Sequence, residues 1–291
     1  MEDILTALAS RLKQKDNSAN KGTNGTLTVA AGSELYRGAA ALASSAALRC
    51  GVGIVRLVSV EKVISSAAAR LPECVFLPTE SENGAMSYRD FARKMPAFSK
   101  SRAVLAGCGM TDCTDTGNII AELIKYGGYQ LIIDADGLNS IKNRPELLKS
   151  AALPPVITPH IGEMARLTGA SADAIKSDRE KTAAEFSRKY NCITVLKDCK
   201  TVISSPEGKL FVCDRPNAGL AKGGSGDVLS GMLVSFLAQG LSPETAAKAA
   251  VYIHGAAGDL AAEKKSQRSM LPSDILNELP RLFLEYEKGG E

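Results

Sequence analysis

Apolar runs of five to seven residues, each closed by turn-forming residues, alternate along the chain with longer mixed stretches. The runs are TLTVAAG (26–32), GIVRLVS (53–59), CVFLPT (74–79), AVLAG (103–107), QLIID (130–134) and PVITP (155–159). They are short and largely apolar at both parities, so each predicts a strand buried on both faces. The amphipathic or Ala-rich stretches between them predict helices near 35–50, 61–69, 88–95, 114–126, 143–150 and 173–190. This βα rhythm predicts an α/β fold with a mostly parallel central sheet and helices on both faces, hence three layers.

The rhythm changes past residue 190. NCITVLK (191–197), TVISS (201–205) and KLFVC (209–213) are strand-like with short links, one of them SPEG (205–208). Short links predict an antiparallel edge to the sheet. Helices follow over about 226–239, 243–262 and 272–286, the last two opened by Ser242-Pro243 and Pro272-Ser273. No linker interrupts 25–285. The expected organisation is an N-terminal helix and polar lead over 1–24, with QKDNSANKGTN (14–24) as its polar part, then a single domain over 25–291.

Composition narrows the function. Of 291 residues, 45% are hydrophobic and 23% charged, a globular balance that excludes fibrous and wholly disordered classes. Net charge is +3 and no Lys/Arg run reaches five residues, so no nucleic-acid footprint is expected. The absence of Trp, with only seven Phe and seven Tyr, also argues against base-stacking platforms. No apolar stretch is long enough to span a bilayer. The opening MEDILTALAS carries two acids and lacks the apolar core of a signal peptide, so a cytoplasmic location is expected. The seven cysteines form no CxxC pair, which removes zinc and dithiol chemistry and leaves inert thiols.

The densest chemical signal is Asn217-Ala218-Gly219-Leu220-Ala221-Lys222-Gly223-Gly224-Ser225-Gly226-Asp227, directly before the apolar helical run VLSGMLVSFLAQG. Glycines at a helix start allow close backbone approach and leave amides free for an anion. The helix dipole adds positive potential, so Gly223, Gly224, Ser225 and Gly226 predict a phosphate cradle. Asp227 is either a plain N-cap or, beside such a cradle, the base that takes a proton from an attacking hydroxyl. The pattern is neither a Walker A loop nor a Rossmann glycine fingerprint.

This glycine segment, together with NKGTNG (20–25), GSELYRGAA (32–40), DADGLN (134–139), TPHIGEMARL (158–167), VLKDCKT (195–201) and HGAAGD (254–259), resembles the ADP/ATP-dependent NAD(P)H-hydrate dehydratases of the ribokinase-like superfamily. The resemblance covers about residues 20–285. It implies a ribokinase-like catalytic domain that phosphorylates the ring hydroxyl of hydrated NADH or NADPH and then expels phosphate to restore the reduced cofactor. It implies an adenine nucleotide, ADP or ATP, as co-substrate and a homotetrameric assembly; phosphoryl transfer in turn implies Mg²⁺, and the compact chain without a transit peptide favours ADP, giving AMP.

Residue by residue, the resemblance makes Asp227 the base that contacts the hydrate hydroxyl and gives Gly226 to the nucleotide phosphate. The family's Lys-Gly-x-x-Thr positions fall on Lys197, Asp198, Cys199, Lys200 and Thr201, which would line the nucleotide. His160, Ala39 and Gly109 would face the hydrated dinucleotide. This chain departs from the family at Asp198, Lys222, Ile161 and Asn20, and AGCGM (106–110) is a reduced glycine loop that leaves Gly107 as an alternative to Gly109. An epimerase domain, often fused ahead of this one, is not expected.

Plainer readings stand beside these. His160 closes a strand at the carboxyl edge of a parallel sheet, where ligands bind, whereas His254 lies in an Ala- and Gly-rich helix and reads as packing. Glu163 is either a phosphate-side carboxylate or a cap, Asp136 either a second acid at the crevice or an Asx turn, and Asn217 either a loop brace or a nucleotide contact. Lys197 is a phosphate ligand or a solvated strand end. No cluster of metal-ligand spacing is present. The competing function is a ribokinase-like kinase of a small vitamin precursor, which would use the same Asp and glycines but release a stable phosphoester.

Overall fold

The computed structural model describes residues 20–288, so residues 1–19 of the expected N-terminal lead lie outside the described residues. The first half runs β1 (Thr26–Ala30), α1 (Arg37–Arg49), β2 (Ile54–Val60), α2 (Glu61–Ala68), β3 (Val75–Thr79), β4 (Ser81–Glu82), β5 (Ala85–Met86), α3 (Tyr88–Lys94), β6 (Ala103–Ala106), α4 (Thr114–Tyr126), β7 (Gln130–Ile133) and α5 (Asp136–Ser140). The second half runs β8 (Val156–Ile157), α6 (Ile161–Thr168), α7 (Ala172–Ser177), α8 (Arg179–Tyr190), β9 (Ile193–Leu196), β10 (Lys200–Ser204), β11 (Leu210–Asp214), α9 (Ser225–Ala238), α10 (Pro243–Ser269) and α11 (Pro272–Glu287).

Nine strands form one sheet in the order β11-β10-β9-β8-β7-β6-β1-β2-β3. Strands β3, β2, β1, β6, β7, β8 and β9 pair in parallel, while β10 and β11 are antiparallel, as the change of rhythm past residue 190 predicts. The chain winds outward from β1 to β3, then from β6 to β9 in the opposite direction. Right-handed crossovers in opposite directions put their helices on opposite faces. The apolar strand runs are buried accordingly: all of Leu27, Val29, Ala30, Val104, Leu105, Ile132 and Ile133 lie within 0% exposure.

Several elements differ from expectation for local reasons. The segment expected to be helical over 143–150 is a 3₁₀ helix, Pro145–Ser150; Pro145 donates no amide and only six residues close there. The helix expected over 173–190 is two, because Asp178 leaves helical space (φ −142°, ψ 64°) and its carboxylate accepts from the Lys181 amide to start α8. Helix α10 extends past 262 but is broken at Ser266 (φ 70°, ψ 151°). The hairpin of β4 and β5, turned on Asn83-Gly84, is too short for its strands to show a period.

Helix α9 rests directly on α1. A Cβ at Gly231 would overlap the Ala43 carbonyl oxygen, Ser235 Oγ donates to Ala47 O at 2.9 Å, and Gln239 Nε2 donates to Cys50 O at 2.8 Å. Small residues on α1 (Ala40, Ala43, Ser44, Ala46 and Ala47 are buried) make that approach possible. The contact fixes where α9 begins, and therefore where the glycine turn lies. Gly231→Ala should lower stability by about 1–3 kcal/mol through overpacking, although Ala alone favours a helix by about 1 kcal/mol over Gly. A urea or thermal melt of that variant coinciding with the parent's would show that the helices separate without cost.

Candidate active site

The carboxyl ends of the parallel strands carry two adjoining loci. At the first, β1 and β6 sit at the point where the winding reverses, the place where open α/β sheets form a crevice. There the Gly32 amide donates to Cys108 O at 2.8 Å and Thr111 Oγ1 donates to Ser33 Oγ at 3.0 Å. At the second, the ends of β7, β8 and β9, the antiparallel edge, the start of α9 and the middle of α10 enclose a cavity of about 950 Å³.

The glycine turn forms one wall of that cavity. Gly224 occupies the cap position of α9 with φ 103°, a conformation that side chains resist, and a Cβ there would meet Leu42 Cδ1 at 2.6 Å. At Gly223, by contrast, an added Cβ would meet nothing within 4 Å. Asp227 is therefore not the N-cap: it stands in the first turn, three positions past Gly224. Across the cavity, one face of α10 contributes Val251, His254 and Gly255.

Charge is concentrated and buried here. Asp134, ending β7 at 1% exposure, accepts from Lys197 Nζ at 2.8 Å and from Ser230 Oγ at 2.7 Å. Burial works to raise its pKa, but the Lys197 charge and these hydrogen bonds hold the carboxyl below its ordinary value. Lys197 is held in its ammonium form against the cost of burial by Asp134 and Glu163. Burial, with the Asp134 charge beside it, pushes the Asp227 carboxyl up to about 6. Burial likewise pushes Glu163 up to about 7, against the Lys197 charge.

His160 is the cap of α6. Its Nδ1 accepts from the Gly162 and Glu163 amides at 2.9 and 3.3 Å, and Glu163 Oε2 accepts from the His160 amide at 2.8 Å, a reciprocal capping box. The cap commits Nδ1 as an acceptor, so the neutral ring carries its proton on Nε2. Burial and the Lys197 and Arg166 charges lower its pKa. The cap reading of Glu163 is thus realised, while the same side chain also lines the cavity.

The cavity gathers His160, Lys197, Asp198, Cys199, Thr201, Gly223, Gly224, Ser225, Gly226 and Asp227. Lys200 does not line it; it pairs with Asp214 at 2.6 Å on the outer side of the edge strand. Ala39 and Gly109 belong to the first locus, where they touch: a Cβ on Gly109 would stand 2.9 Å from Ala39 Cβ. At Gly107 a Cβ would overlap the Asp134 carbonyl, so that glycine is explained by packing. Asp136 accepts from the Thr111 amide at 2.9 Å. Asn217 braces its loop, Oδ1 accepting from Gly219 N and Nδ2 donating to Asp259, both at 2.9 Å, and it also lines the cavity.

Asp134, His254 and Arg215 are among the polar lining residues that sequence reasoning did not place in the site. Asp134 carried a signal, an acid ending a strand, but an Asx turn accounts for the same pattern. His254 is buried, with Nε2 unpaired, and burial lowers its pKa to about 4. Arg215 is anchored on Asp259 at 2.8 Å and lies over the Tyr252 ring.

A family profile described as NAD(P)H-hydrate dehydratase matches residues 27–281. The chain is 34% identical over 291 aligned positions to the bifunctional NAD(P)H-hydrate repair enzyme Nnr of Moorella thermoacetica, covering 99% of this chain and 55% of that protein. It therefore spans about half the length of the first curated relatives it matches. To the ADP-dependent (S)-NAD(P)H-hydrate dehydratase of Bacillus subtilis it is 30% identical, with 95% of each chain covered. The crystal structure of the ADP/ATP-dependent NAD(P)H-hydrate dehydratase of B. subtilis, co-crystallised with ATP/Mg²⁺, superposes with a TM-score of 0.82 at 28% identity over 97% of both chains. Sequence match and backbone agree, and the chain belongs to the NAD(P)H-hydrate dehydratase family, with a ribokinase-like fold.

Proposed function

We propose that this chain dehydrates hydrated NADH or NADPH at the expense of an adenine nucleotide, ADP giving AMP. The observation that carries the reading is the position of Asp227. It lines the cavity, and the Cys108 thiol, whose neighbour Gly109 packs on Ala39 in the first locus, is among the groups that bear on its charge. A base at that junction reaches a hydroxyl held in one locus and a phosphate held in the other.

In this reading the first locus holds the nicotinamide ring and the cavity holds the nucleotide, with its phosphates on the amides of Gly223, Gly224 and Gly226, the Ser225 amide being taken by Lys222 O. Asp227 takes the proton of the ring hydroxyl as the oxygen attacks the terminal phosphorus, and AMP leaves with the bridging oxygen. Lys197, beside the cradle, offsets charge on the transferring group. The phosphorylated ring then loses inorganic phosphate as the ring nitrogen pushes electrons toward the C–O bond. Loss of a proton from the neighbouring carbon restores the double bond.

Among the described residues no three His, Cys, Asp or Glu side chains converge on a metal cage. That suits Mg²⁺, which is commonly held by phosphate oxygens, water and one or two carboxylates. Glu163, whose Oε1 lies outside the amide contact of the cap and 3.4 Å from His160 Nε2, is a cavity carboxylate that would hold it, and the ion would supply charge neutralisation between phosphate groups.

The deciding experiment incubates the protein with hydrated NADPH and ADP. Recovery of the near-ultraviolet absorbance of the reduced ring, with release of AMP and phosphate, is expected; accumulation of a stable phosphoester would overturn the dehydratase reading in favour of a kinase.

Two variants test the assigned roles. Asp227→Asn should fold, bind ADP and lose at least about 10²-fold in kcat, because Asn cannot take the proton. In the parent, kcat/KM should fall as the pH drops through about 6, since the base works only when ionised. Full turnover in Asp227→Asn would remove the carboxylate from the mechanism. For the cradle, Gly223→Val is the informative change. Its side chain enters open space, whereas Gly224→Val meets Leu42 and a positive φ and disturbs the turn itself. Gly223→Val should keep the parent's melting curve and weaken ADP binding by at least tenfold (roughly 1.4 kcal/mol), as read by calorimetry; parental affinity would place the phosphates elsewhere.

A further inference from the structure

The charge cluster at the end of β7 does more than bind. We propose that Asp134 is a positioning residue of this site: its one buried carboxylate holds the Lys197 ammonium beside Gly226 and sets a fixed negative charge against Asp227. The proposal rests on the dehydratase reading for its chemical meaning, and on geometry for its substance.

Asp134 is saturated from every side. Oδ1 accepts from Lys197 Nζ at 2.8 Å and from the Ala135 amide at 2.9 Å; Oδ2 accepts from Ser230 Oγ at 2.7 Å, with the Cys108 thiol at 3.8 Å. Ala135 itself takes φ 50°, ψ −119°, a costly conformation for a residue with a Cβ. Such strain persists where the surroundings over-determine it. A four-carbon side chain free in water would sample many rotamers; here the carboxylate fixes one, and it places Nζ 3.4 Å from where a Cβ on Gly226 would stand. Lys197 thus arrives at the cradle already oriented. Its ammonium still has hydrogens to donate after Asp134 takes one.

The second half of the proposal concerns Asp227. The groups facing it are Cys108 after β6, Asp134 and Asp136 after β7, and Lys197 after β9. Asp134 Oδ2 stands 3.9 Å from where a Cβ on Gly226, the residue before Asp227, would sit, so the buried carboxylate faces the first turn of α9. Burial first, and this like charge after it, makes Asp227 a stronger base than an isolated carboxylate. Of these neighbours, Asp134 acts most strongly to raise its affinity for a proton.

The test is Asp134→Asn in the full chain. Carbon-13 NMR of aspartate-labelled protein, with the Asp227 signal assigned by its loss in Asp227→Asn, reads the titration without substrate. The Asp227 midpoint should fall by about one pH unit. The acid limb of kcat/KM should move down with it, and KM for ADP should rise about tenfold as Lys197 loses its partner. A residue that served the fold alone would lower the melting temperature and leave the Asp227 midpoint in place. An unmoved midpoint, or an unmoved KM for ADP, in a folded variant overturns the proposal.

Should Asp134→Asn fail to fold, Asp134→Asn/Lys197→Met replaces the pair by neutral groups, an exchange that buried pairs commonly tolerate. Its Asp227 midpoint should still fall, by less; no fall overturns the proposal. Absence of turnover of hydrated NADPH by the parent would sink the dehydratase reading, while the titration continues to judge Asp134.

Discussion

A buried carboxylate at the end of a central strand has to be matched, and the site is arranged round that requirement. Asp134 lies among apolar strands, where an unpaired charge costs several kcal/mol and removing one member of a buried pair costs about 3–5 kcal/mol. Its partners come from four separate segments: Lys197 from the end of β9, Ser230 from α9, the Ala135 amide from β7's own exit and Cys108 from the exit of β6. Satisfying one side chain therefore registers two strand ends and the glycine-turn helix against a third strand. The ligand side of the fold inherits its geometry from this knot.

Backbone proximity does the corresponding work on the other side of α9. Its first turn must present free amides to the cavity while its second and third turns lie on α1. Gly231 lets the helix axes approach until Cβ atoms have no room, and Ser235 and Gln239 then bond the α1 carbonyls directly. The burial of almost every residue from Val228 to Ala238 follows. It explains why α9 has nearly uniform hydrophobicity instead of one apolar stripe: it has neighbours all round.

These features differ in how far they could be read from residues. The sheet was legible because its strands are apolar at both parities, and the antiparallel edge because its links shorten at SPEG (205–208). The glycine turn announced itself, since four glycines before an apolar helix have few other uses. Breaks such as Asp178 were not legible, because one residue decides between one helix and two. Asp134 was seen as a strand-end acid but not as the hub. Its side-chain partners lie between 26 and 96 positions away in sequence, and no local pattern encodes that convergence. Lys200 shows the opposite error of a contiguous motif: a strand alternates its faces, so Thr201 enters the cavity and Lys200 turns to Asp214.

The balance of charge in the cavity bears on what can enter it. Asp134, Glu163 and Asp227 cluster on the Lys197 ammonium, while Lys176, Arg215 and Lys222 line the cavity around them; burial first, and the neighbouring Asp134 charge after it, raises Glu163 to about 7 and Asp227 to about 6, whereas Lys197 holds Asp134 below its ordinary value. A nucleotide polyphosphate adds further negative charge beside Asp227. On its own that would raise the carboxyl again and protonate it at the moment a base is required. Helix α9 offsets part of this with its amides and dipole, which favour the phosphate at no cost in protonation. The remainder falls to the cations that line the cavity, Lys176, Lys197, Arg215 and Lys222, whose charge opposes protonation of Asp227 as the phosphate arrives.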